Sequence, residues 1–292
     1  MQTKLTSSTK EVVIGDGRPT IIIGERINPS GNKRLEEALR KGDLERVRKE
    51  AIAQVEAGAD IIDVNVSTFG TDEVDLLPKA VITVMEAVEA PICIDSVDPA
   101  ALEAALKIYK GKPLVNSFSG EKTSLDRVLP LVKEYGAAVV GLVQDDEGVP
   151  KDAARRLSIA HKLVERAEAI GIPREDVIID CLAFAVGADT SSGPEVLQAI
   201  SQVKTELGVN ETLGASNISF GLPGRQELNN AFLAMVISNG VTCLITNAAK
   251  ARPVTLSVDL ILGRDNRARR YLAAHRKFRA AQDVPEKGTD QI

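Results

Sequence analysis

The stretch ICIDSVDPAALEAALKIYKGKPLVNSFSGEKTSLDRVLPLVKEYGAAVVGL, residues 92–142, decides the fold. Three short apolar runs in it alternate with two longer segments in which apolar residues recur at helical spacing. The runs are continuously apolar rather than alternating with polar residues, which is typical of parallel strands buried on both faces. The stretch therefore predicts three parallel strands joined by two helices, the repeating unit of an α/β protein.

The same alternation continues along the chain. Strands are predicted at 20–24, 61–64, 92–95, 114–116, 138–142, 177–180, 212–215 and 243–246. Helices are predicted at 33–57, 73–88, 99–109, 123–135, 151–170, 193–207, 225–239 and 253–262. Eight β/α units favour an α/β fold of the (β/α)8 TIM barrel type over an open doubly wound sheet. A Rossmann sheet is not favoured, because Gly24-Glu25-Arg26 lacks the GxGxxG pattern after the first strand.

The chain of 292 residues fits one barrel domain with short additions. We expect an N-terminal extension at 1–19, the barrel at 20–263, and a tail at 264–292 that begins as a basic helix. Tyr271, Ala274 and Phe278 form an apolar stripe on that helix. The helix is interpreted as a peripheral element with a solvated charged face or as a docking surface for a partner. The last ten residues are polar, so we expect them to be disordered.

Composition excludes several classes of function. A net charge of −5 gives no reason to expect a nucleic-acid partner. No run approaches the ~20 apolar residues of a membrane span, and the first residues lack the apolar segment of a signal peptide, so we expect a cytoplasmic protein. The cysteines, Cys93, Cys181 and Cys243, form no CxxC pair and read as buried reduced thiols rather than zinc ligands. With two histidines only, a Ser-His-Asp triad and a metal site of the chain's own are not expected.

Polar residues stand where the predicted strands end, and in a barrel these ends build the active site. In chain order they are Glu25-Arg26-Ile27-Asn28, Asp63 and Asn65, Asp95-Ser96, Asn116-Ser117, Gln144-Asp145-Asp146, Asp180, Ser216-Asn217, and Asn247. Each of these residues alone is also a common turn or helix-cap residue. The whole ring suits a flat, neutral heterocycle such as a fused pyrimidine, which offers N–H groups to carboxylates and ring nitrogens to amides. A phosphate ligand is not favoured, because a glycine-rich phosphate loop is missing from the sequence and the mouth is short of Lys and Arg.

Seven motifs come in order along the chain. They are IIIGERIN (21–28), DVNV (63–66), CIDS (93–96), VNSFSG (115–120), IID (178–180), GASNISFGLPGR (214–225) and NNAFLAMVISNG (229–240). Together they resemble the pterin-binding methyltransferase family, whose members include methyltetrahydrofolate:corrinoid/iron–sulfur protein methyltransferases and the folate domains of cobalamin-dependent methionine synthases. The resemblance covers residues 20–263. GERIN and G-x-SN-x-S together are specific, whereas DVNV or CIDS alone would be weak. The resemblance implies a dihydropteroate synthase-like TIM barrel, in agreement with the strand count.

The resemblance also implies a function and a set of site residues. The implied reaction moves a methyl group between (methyl)tetrahydrofolate and a corrinoid (cobalamin) carried by a partner protein, with the direction undetermined and the enzyme a homodimer. Asn217 would be catalytic, since it matches the residue that reaches the nitrogen carrying the methyl group. The residues expected to bind the pterin or folate are Asn28, Asp95, Asn116, Asp180, Gly214, Ser216 and Arg225. Residues 220–224 replace a polar stretch of the corrinoid/iron–sulfur member, which leaves the identity of the corrinoid protein open.

Two alternatives remain at this point. A dihydropteroate synthase would carry a first loop of the NVTPDSFSDGG type and a basic SRK-like stretch, but the loops here read NPSGNKR (28–34) and SNISFG (216–221). A folate-binding subunit of a multi-component methyltransferase is the second alternative, because the sequence has no corrinoid-binding DxHxxG segment. Methyl transfer to free cob(I)alamin by the isolated chain would distinguish an enzyme from such a carrier.

Overall fold

The computed structural model describes residues 1–282, and their side chains as far as residue 276. The strands are β1 (Gln2–Thr6), β2 (Glu11–Gly15), β3 (Ile21–Ile27), β4 (Ile61–Val64), β5 (Ile92–Asp95), β6 (Leu114–Ser119), β7 (Ala138–Leu142), β8 (Val177–Asp180), β9 (Asn210–Thr212) and β10 (Cys243–Thr246). The helices are α1 (Lys33–Arg40), α2 (Glu45–Glu56), α3 (Glu73–Ala87), α4 (Pro99–Ile108), α5 (Lys122–Tyr135), α6 (Ala153–Ala169), α7 (Ser192–Glu206), α8 (Arg225–Asn239), α9 (Ala248–Ile261) and α10 (Arg269–Gln282). Short 3₁₀ turns occupy Arg174–Asp176, Ala215–Ser219 and Asn266–Ala268.

Eight strands, β3 to β10, form one parallel sheet in the order β10-β3-β4-β5-β6-β7-β8-β9. The two ends of this sheet meet. The Thr242 N–H donates to the Glu211 carbonyl at 3.1 Å, and the Ile245 N–H donates to the Leu213 carbonyl at 3.2 Å. Helices follow the strands and cover the outside. The predicted (β/α)8 TIM barrel is confirmed.

The barrel has two cores because every strand buries both faces. Inward-facing residues such as Ile23, Leu114 and Ile178 fill the barrel interior, whereas outward-facing neighbours such as Ile22 and Val115 pack against the helices. A fully buried side chain of this size contributes roughly 1.5–3 kcal/mol through its removal from water. Since side chains alternate along a strand, each apolar residue that points inward fixes the direction of the residue two positions later.

The N-terminal extension forms an antiparallel hairpin that closes one end of the barrel. Leu5, Val12 and Ile14 of the hairpin belong to the same buried cluster as the interior side chains of the strands. The Asn210 Nδ2 group of β9 donates to Thr3 Oγ1 at 2.9 Å and to the Ile14 carbonyl at 3.2 Å. This closed end is the amino-terminal end of the strands, so the open mouth lies at their carboxyl ends.

Two predicted elements are wrong in their extent. The strand expected at 212–215 is Asn210–Thr212, and the chain then turns through Ala215–Ser219. Asn210 and Glu211 are residue types that are rare in buried strands, and the hairpin that satisfies Asn210 is distant in sequence. The single helix expected at 33–57 is two helices, α1 and α2, because the chain turns at Gly42 with a φ of 68°.

Other elements are longer than expected, among them the strand predicted at 114–116, which continues to Ser119. The first barrel strand continues beyond residue 24 to Ile27. The helix expected at 253–262 begins at Ala248, because Asn247 Oδ1 accepts from the Ala249 N–H at 3.0 Å and caps the helix there, with Pro253 inside it.

The tail begins with the expected basic helix, α10. Tyr271 and Ala274 of its apolar stripe are half-buried. The Arg270 guanidinium lies 3.4 Å from the buried Asp259 carboxylate of α9, which fixes the start of α10 to the barrel. The third stripe residue, Phe278, has no described side chain, and the residues expected to be disordered, 283–292, lie outside the described residues. Within the described part of the chain, every helix is too short or too polar to cross a bilayer.

Candidate functional site

The polar residues predicted at the strand ends meet at the open mouth of the barrel. Ile23, Ile61, Cys93, Leu114 and Ile178 point into the barrel, so the residues two positions later point inward as well, one layer nearer the mouth. Those residues are Glu25, Asp63, Asp95, Asn116 and Asp180. In the strand register, Asp95 lies opposite Asn116. Carboxyl groups and one carboxamide, on adjacent or nearby strands, therefore form the floor of the mouth.

Asp63 lies at the bottom of this polar layer and contacts an expected site residue. The Asn116 Nδ2 group donates to Asp63 Oδ1 at 3.5 Å, and the second carboxyl oxygen, Oδ2, is buried with no hydrogen-bond partner among the described residues. Burial and the nearby charges of Asp95 and Glu25 raise the pKa of Asp63 well above its ordinary value. The neutral acid is therefore the favoured form of Asp63. Its Oδ1 atom accepts from the Asn116 amide and so helps to orient that amide.

Asp95 is the first of two expected pterin-binding carboxylates. Its pKa is raised to about 7, mainly by burial and also by the charges of Glu25 and Glu73, while a hydrogen bond from Asn65 opposes the rise. Arg and Lys are not among the groups that set this pKa. A carboxylate of this kind lacks a charged partner and is stabilised by a ligand that donates N–H groups.

Asp180 is the second such carboxylate and is 4% exposed. Burial raises the pKa of its carboxyl to about 7, although hydrogen bonds from the backbone N–H groups of Leu182 and Gly214 and the charge of Arg156 lower it. The Leu182 N–H donates to Asp180 Oδ1 at 2.7 Å. Beneath this loop the buried Arg156 guanidinium donates to the Cys181 and Leu182 carbonyls, each at 3.0 Å, and so holds the loop after β8 in place.

Asn28 stands at the edge of the mouth in the loop after β3. Its Nδ2 group donates to Glu25 Oε1 at 2.8 Å, and its Oδ1 accepts from the Ser30 N–H at 2.9 Å. Burial raises the pKa of Glu25, while the Asn28 hydrogen bond and the charge of Arg26 lower it. Asn28 therefore fixes both the loop and the Glu25 side chain. These two hydrogen bonds give Asn28 a structural role in the turn, in addition to any contact with a ligand.

Asn217, the expected catalytic residue, lies in the 3₁₀ turn Ala215–Ser219 rather than at a strand end, and it is exposed. Its Nδ2 atom lies 3.1 Å from the point where a Cβ on Gly214 would stand. Glycine at 214 therefore leaves room for the Asn217 amide to lie against this turn. The Gly214 N–H also donates a hydrogen bond to the Asp180 carboxyl group. The backbone just before the turn that carries Asn217 is therefore fixed to Asp180.

Arg225 stabilises the same turn through hydrogen bonds to two of its residues, Ser216 and Ser219. Arg225 donates from Nε to Ser219 Oγ at 3.0 Å and from Nη2 to the Ser216 carbonyl at 2.9 Å. Its guanidinium carbon lies 5.9 Å from the centroid of the Phe220 ring. Arg225 therefore orders the loop that carries Asn217, in addition to any contact with a substrate.

The structure corrects the expectation that the mouth is short of Lys and Arg. A polar cavity of about 260 Å³ opens beside the mouth, and Arg26, Arg225 and Lys250 line it. Sequence reasoning placed Arg26 at the end of the first barrel strand, inside the GERIN motif, without giving it a role. It missed Lys250, which follows the last barrel strand by a few residues. A larger cleft of about 1040 Å³ lies at the opposite end of the barrel, against the hairpin turn and the ends of α2, α3 and α4, away from the carboxylates.

Metal ligands do not gather at the site. Within the described part of the chain there is no group of three or more His, Cys, Asp and Glu side chains placed to hold a metal ion. The three cysteines are free thiols, and each is buried. Cys93 stands on β5 opposite Asp63 of β4, and burial raises the pKa of its thiol well above the ordinary value.

Comparison with solved structures shows the fold. The chain is similar to a dihydropteroate synthase from Yersinia pestis, solved with a pterin–sulfa conjugate, with a TM-score of 0.70 at 15% identity over 89% of this chain and 99% of that one. It is also similar to a dihydropteroate synthase from Clostridium difficile, solved in the presence of pteroic acid, with a TM-score of 0.68 at 24% identity over 84% of this chain and 97% of that one.

Comparison of sequences is more specific. The chain is 32% identical to a methylcorrinoid:tetrahydrofolate methyltransferase of Eubacterium limosum, over 88% of this chain and 96% of the relative. It is 33% identical to a methionine synthase of Mycobacterium tuberculosis, over 80% of this chain and 21% of the relative, so it spans about a fifth of that protein. A family profile described as pterin binding enzyme matches residues 24–247. This chain therefore belongs to the pterin binding enzyme family.

Proposed function

We propose that the chain is a methyltransferase that moves a methyl group between (methyl)tetrahydrofolate and a protein-bound corrinoid. One observation carries the proposal: the buried Asp180 and the half-buried Asp95 stand at the mouth of the barrel without a salt-bridge partner among residues 1–276, near an exposed carboxamide, Asn217. The similarity to a methylcorrinoid:tetrahydrofolate methyltransferase over almost the full length of both chains supports the same reaction.

The floor of the mouth fits the pyrimidine half of a pterin. That ring carries N–H and amino donors, which match the carboxylate oxygens of Asp95 and Asp180, and the Asn116 amide supplies a donor and an acceptor between them. A hydrogen bond from a charged or polar ligand group replaces the water that each carboxylate loses on burial. Gly214 and Ser216 lie at the side of the ring, and Asn28 lies at the entrance.

Asn217 is proposed to act on the nitrogen that carries the methyl group. When methyltetrahydrofolate is the donor, the N5–methyl bond breaks, its electron pair stays on N5, and N5 gains a proton while the methyl group passes to the corrinoid. An amide can donate to N5 or accept from it without changing its own charge, so Asn217 can follow the change in protonation. A contact that strengthens as the bond breaks lowers the barrier. The mouth is open, and we propose that solvent supplies the proton.

The corrinoid is proposed as a substrate carried by a separate corrinoid-binding protein that docks at the mouth. The same residues serve the reverse transfer, from a methylcorrinoid to tetrahydrofolate, so the proposal covers both directions. We further propose a homodimer, a cytoplasmic location and catalysis without a metal of the chain's own. The barrel of residues 20–263 is proposed as the catalytic unit, with the hairpin of residues 1–19 as its plug.

The assay mixes the purified full chain with methyltetrahydrofolate and free cob(I)alamin and follows the cobalt absorbance, then repeats the test with methylcobalamin and tetrahydrofolate. Turnover in either direction is expected. If the chain binds folate but shows no turnover with either free or protein-bound corrinoid, it is a folate-binding carrier subunit rather than the enzyme. Formation of dihydropteroate from p-aminobenzoate and a dihydropterin diphosphate would overturn the proposal in favour of the synthase reaction.

A further inference from the structure

We propose that Arg156, a buried residue of α6, positions Asp180 for the folate: it holds the loop after β8 in the shape that turns a backbone N–H and a positive charge towards this carboxyl group. This inference rests on the proposed function and adds to it a residue outside the mouth. Arg156 is 1% exposed, so it cannot contact a ligand in the mouth and can act only through the residues that it binds.

The Arg156 guanidinium binds this loop at several points. It donates from Nη1 to the carbonyls of Cys181 and Leu182, each at 3.0 Å, and its carbon lies 5.6 Å from the centroid of the Phe184 ring. From Nε it donates to the Pro150 carbonyl at 2.9 Å, shortly before α6. Because these hydrogen bonds all end on backbone carbonyls, their removal would release the loop rather than break an ion pair.

Leu182 links Arg156 to Asp180 through its two backbone groups. Its carbonyl accepts from Arg156, and its N–H donates to Asp180 Oδ1 at 2.7 Å. The φ of Leu182 is 55°, in the left-handed region, which is unfavourable for a residue with a Cβ atom. A conformation of this kind persists only where the surrounding contacts enforce it, and the Arg156 hydrogen bonds are such contacts. Without them we expect Leu182 to leave this region and its N–H to turn away from Asp180.

Arg156 also supplies a positive charge beneath Asp180. Burial raises the pKa of Asp180 to about 7, and the charge of Arg156 opposes this rise together with the hydrogen bonds from Leu182 and Gly214. The other titratable groups around this carboxyl are acids that supply no positive charge, and burial raises the pKa of each; they are Cys181, Glu211 and Cys243. The loss of Arg156 should therefore make Asp180 harder to ionise.

The charge of Arg156 does not change with pH in the range where folate binding is measured. Burial lowers the pKa of its guanidinium, while the neighbouring acids raise it; they are Cys181, Glu195, Asp152 and Asp180. An arginine side chain stays protonated in proteins. A change with pH that depends on Arg156 is therefore a change at a group near it, and Asp180 is the one at the mouth, reached through Leu182.

A double-mutant cycle tests whether Arg156 acts through Asp180. Arg156→Met removes the charge and the hydrogen bonds, Arg156→Lys keeps the charge, and each is made in the wild type and in the Asp180→Asn background. Calorimetry measures the affinity for tetrahydrofolate between about pH 6 and about pH 9. Arg252→Met is the matched control, because Arg252 is a second buried arginine, bound to the Gly58 carbonyl and the Asp60 carboxylate and not to the loop after β8.

In Arg156→Met, the fall in folate affinity should begin about one pH unit higher than in the wild type, and the affinity at about pH 7 should drop about fivefold. The drop should shrink towards about pH 9, where Asp180 ionises without Arg156. Arg156→Lys should keep the wild-type pH dependence. In the Asp180→Asn background, Arg156→Met should change the affinity by less than about twofold, because no carboxyl group remains at that position. Arg252→Met should lower the melting temperature and leave the pH dependence unchanged.

Equal loss in the wild type and in Asp180→Asn would overturn the proposal, because Arg156 would then act on the fold and not through Asp180. An Arg156→Met variant that folds and keeps the wild-type affinity and pH dependence would overturn it as well. In either case the wild type still binds tetrahydrofolate, so the proposed function stands and the positioning role falls. If Arg156→Met does not fold, Arg156→Gln replaces it as a neutral variant that keeps a donor for the loop, and it must show the same shift with pH. Failure of the wild type to bind tetrahydrofolate is a different result and would overturn the proposed function together with this inference.

Discussion

Replacing Asp180 by Asn should stabilise the protein and weaken folate binding at the same time. In the unfolded chain this carboxyl ionises near its ordinary pKa of 3.8, whereas burial raises the pKa to about 7 in the folded protein. Below 3.8 both states are neutral. As the pH rises towards 7 the unfolded chain loses the proton first, so the free energy of unfolding falls across this interval and stays at the lower level above it.

The size of the effect follows from the two pKa values. At about 1.4 kcal/mol per pH unit, the interval from 3.8 to about 7 corresponds to about 4 kcal/mol of destabilisation in the wild type above neutral pH. An Asn oxygen at this position can still accept from the Leu182 N–H, but its Nδ2 group cannot accept from Gly214, which costs about 1–3 kcal/mol. Asp180→Asn should therefore gain about 1–3 kcal/mol above neutral pH, and lose stability near about pH 4.

Urea unfolding at several pH values and calorimetry with tetrahydrofolate measure the two effects. Folate affinity should fall by about 10- to 100-fold, because the Asn Nδ2 group is a donor where Asp180 has an acceptor oxygen. A pterin N–H group would then face a second donor and lose its hydrogen bond. Asp98→Asn is the matched control, since Asp98 only caps α4 by accepting from the Ala100 N–H at 2.9 Å and Asn caps a helix equally well. If Asp180→Asn destabilises the fold at every pH and leaves folate affinity unchanged, Asp180 is only a cap for the loop after β8.

Three further expectations concern the reacting nitrogen, the protons and the plug. Asn217→Ala should slow methyl transfer at saturating folate by about 10- to 100-fold while changing the folate Kd less; single-turnover rates beside Kd and melting temperature check this, and an unchanged saturating rate rules the residue out. Folate affinity should decrease as the pH falls below about 7, by about tenfold per pH unit for each carboxyl that must ionise, because Asp95 and Asp180 both have pKa values of about 7. Calorimetry in two buffers of different ionisation enthalpy should detect proton release on binding. An affinity that is flat between about pH 8 and 6 would contradict this expectation. Leu5→Ala should lower the free energy of unfolding by about 2–5 kcal/mol without changing folate affinity, since Leu5 is fully buried in the amino-terminal end of the barrel. Urea unfolding measures this cost, and a value below about 1 kcal/mol would show that the hairpin does not close the barrel.

The barrel was predictable because the strands carry their own signal. Strands such as Ile61–Val64 and Val177–Asp180 are buried on both faces, so their sequences are nearly all apolar and their bounds agree with the prediction. The strand Asn210–Thr212 was misplaced because the Asn210 side chain is satisfied by a hairpin about two hundred residues away. No local pattern contains that contact.

The candidate site divides in the same way. The carboxyl ends of parallel strands meet at one end of a barrel, so the position of Asp95, Asn116 and Asp180 at the mouth could be predicted from their places in the sequence. The contact between Asp63 and Asn116 and the cavity beside Lys250 depend on how neighbouring strands and helices pack. These features required three-dimensional coordinates.

The central claim is that this chain itself transfers the methyl group, and an isotope label tests it most directly. Methylcobalamin labelled with ¹³C in its methyl group is incubated with tetrahydrofolate and the purified full chain, and the label is followed by NMR. We predict that the label appears on N5 of the folate, and that the Asn217→Ala variant slows its appearance. A label that stays on the corrinoid, free or bound to its carrier protein, while calorimetry shows that tetrahydrofolate is bound, would contradict the claim.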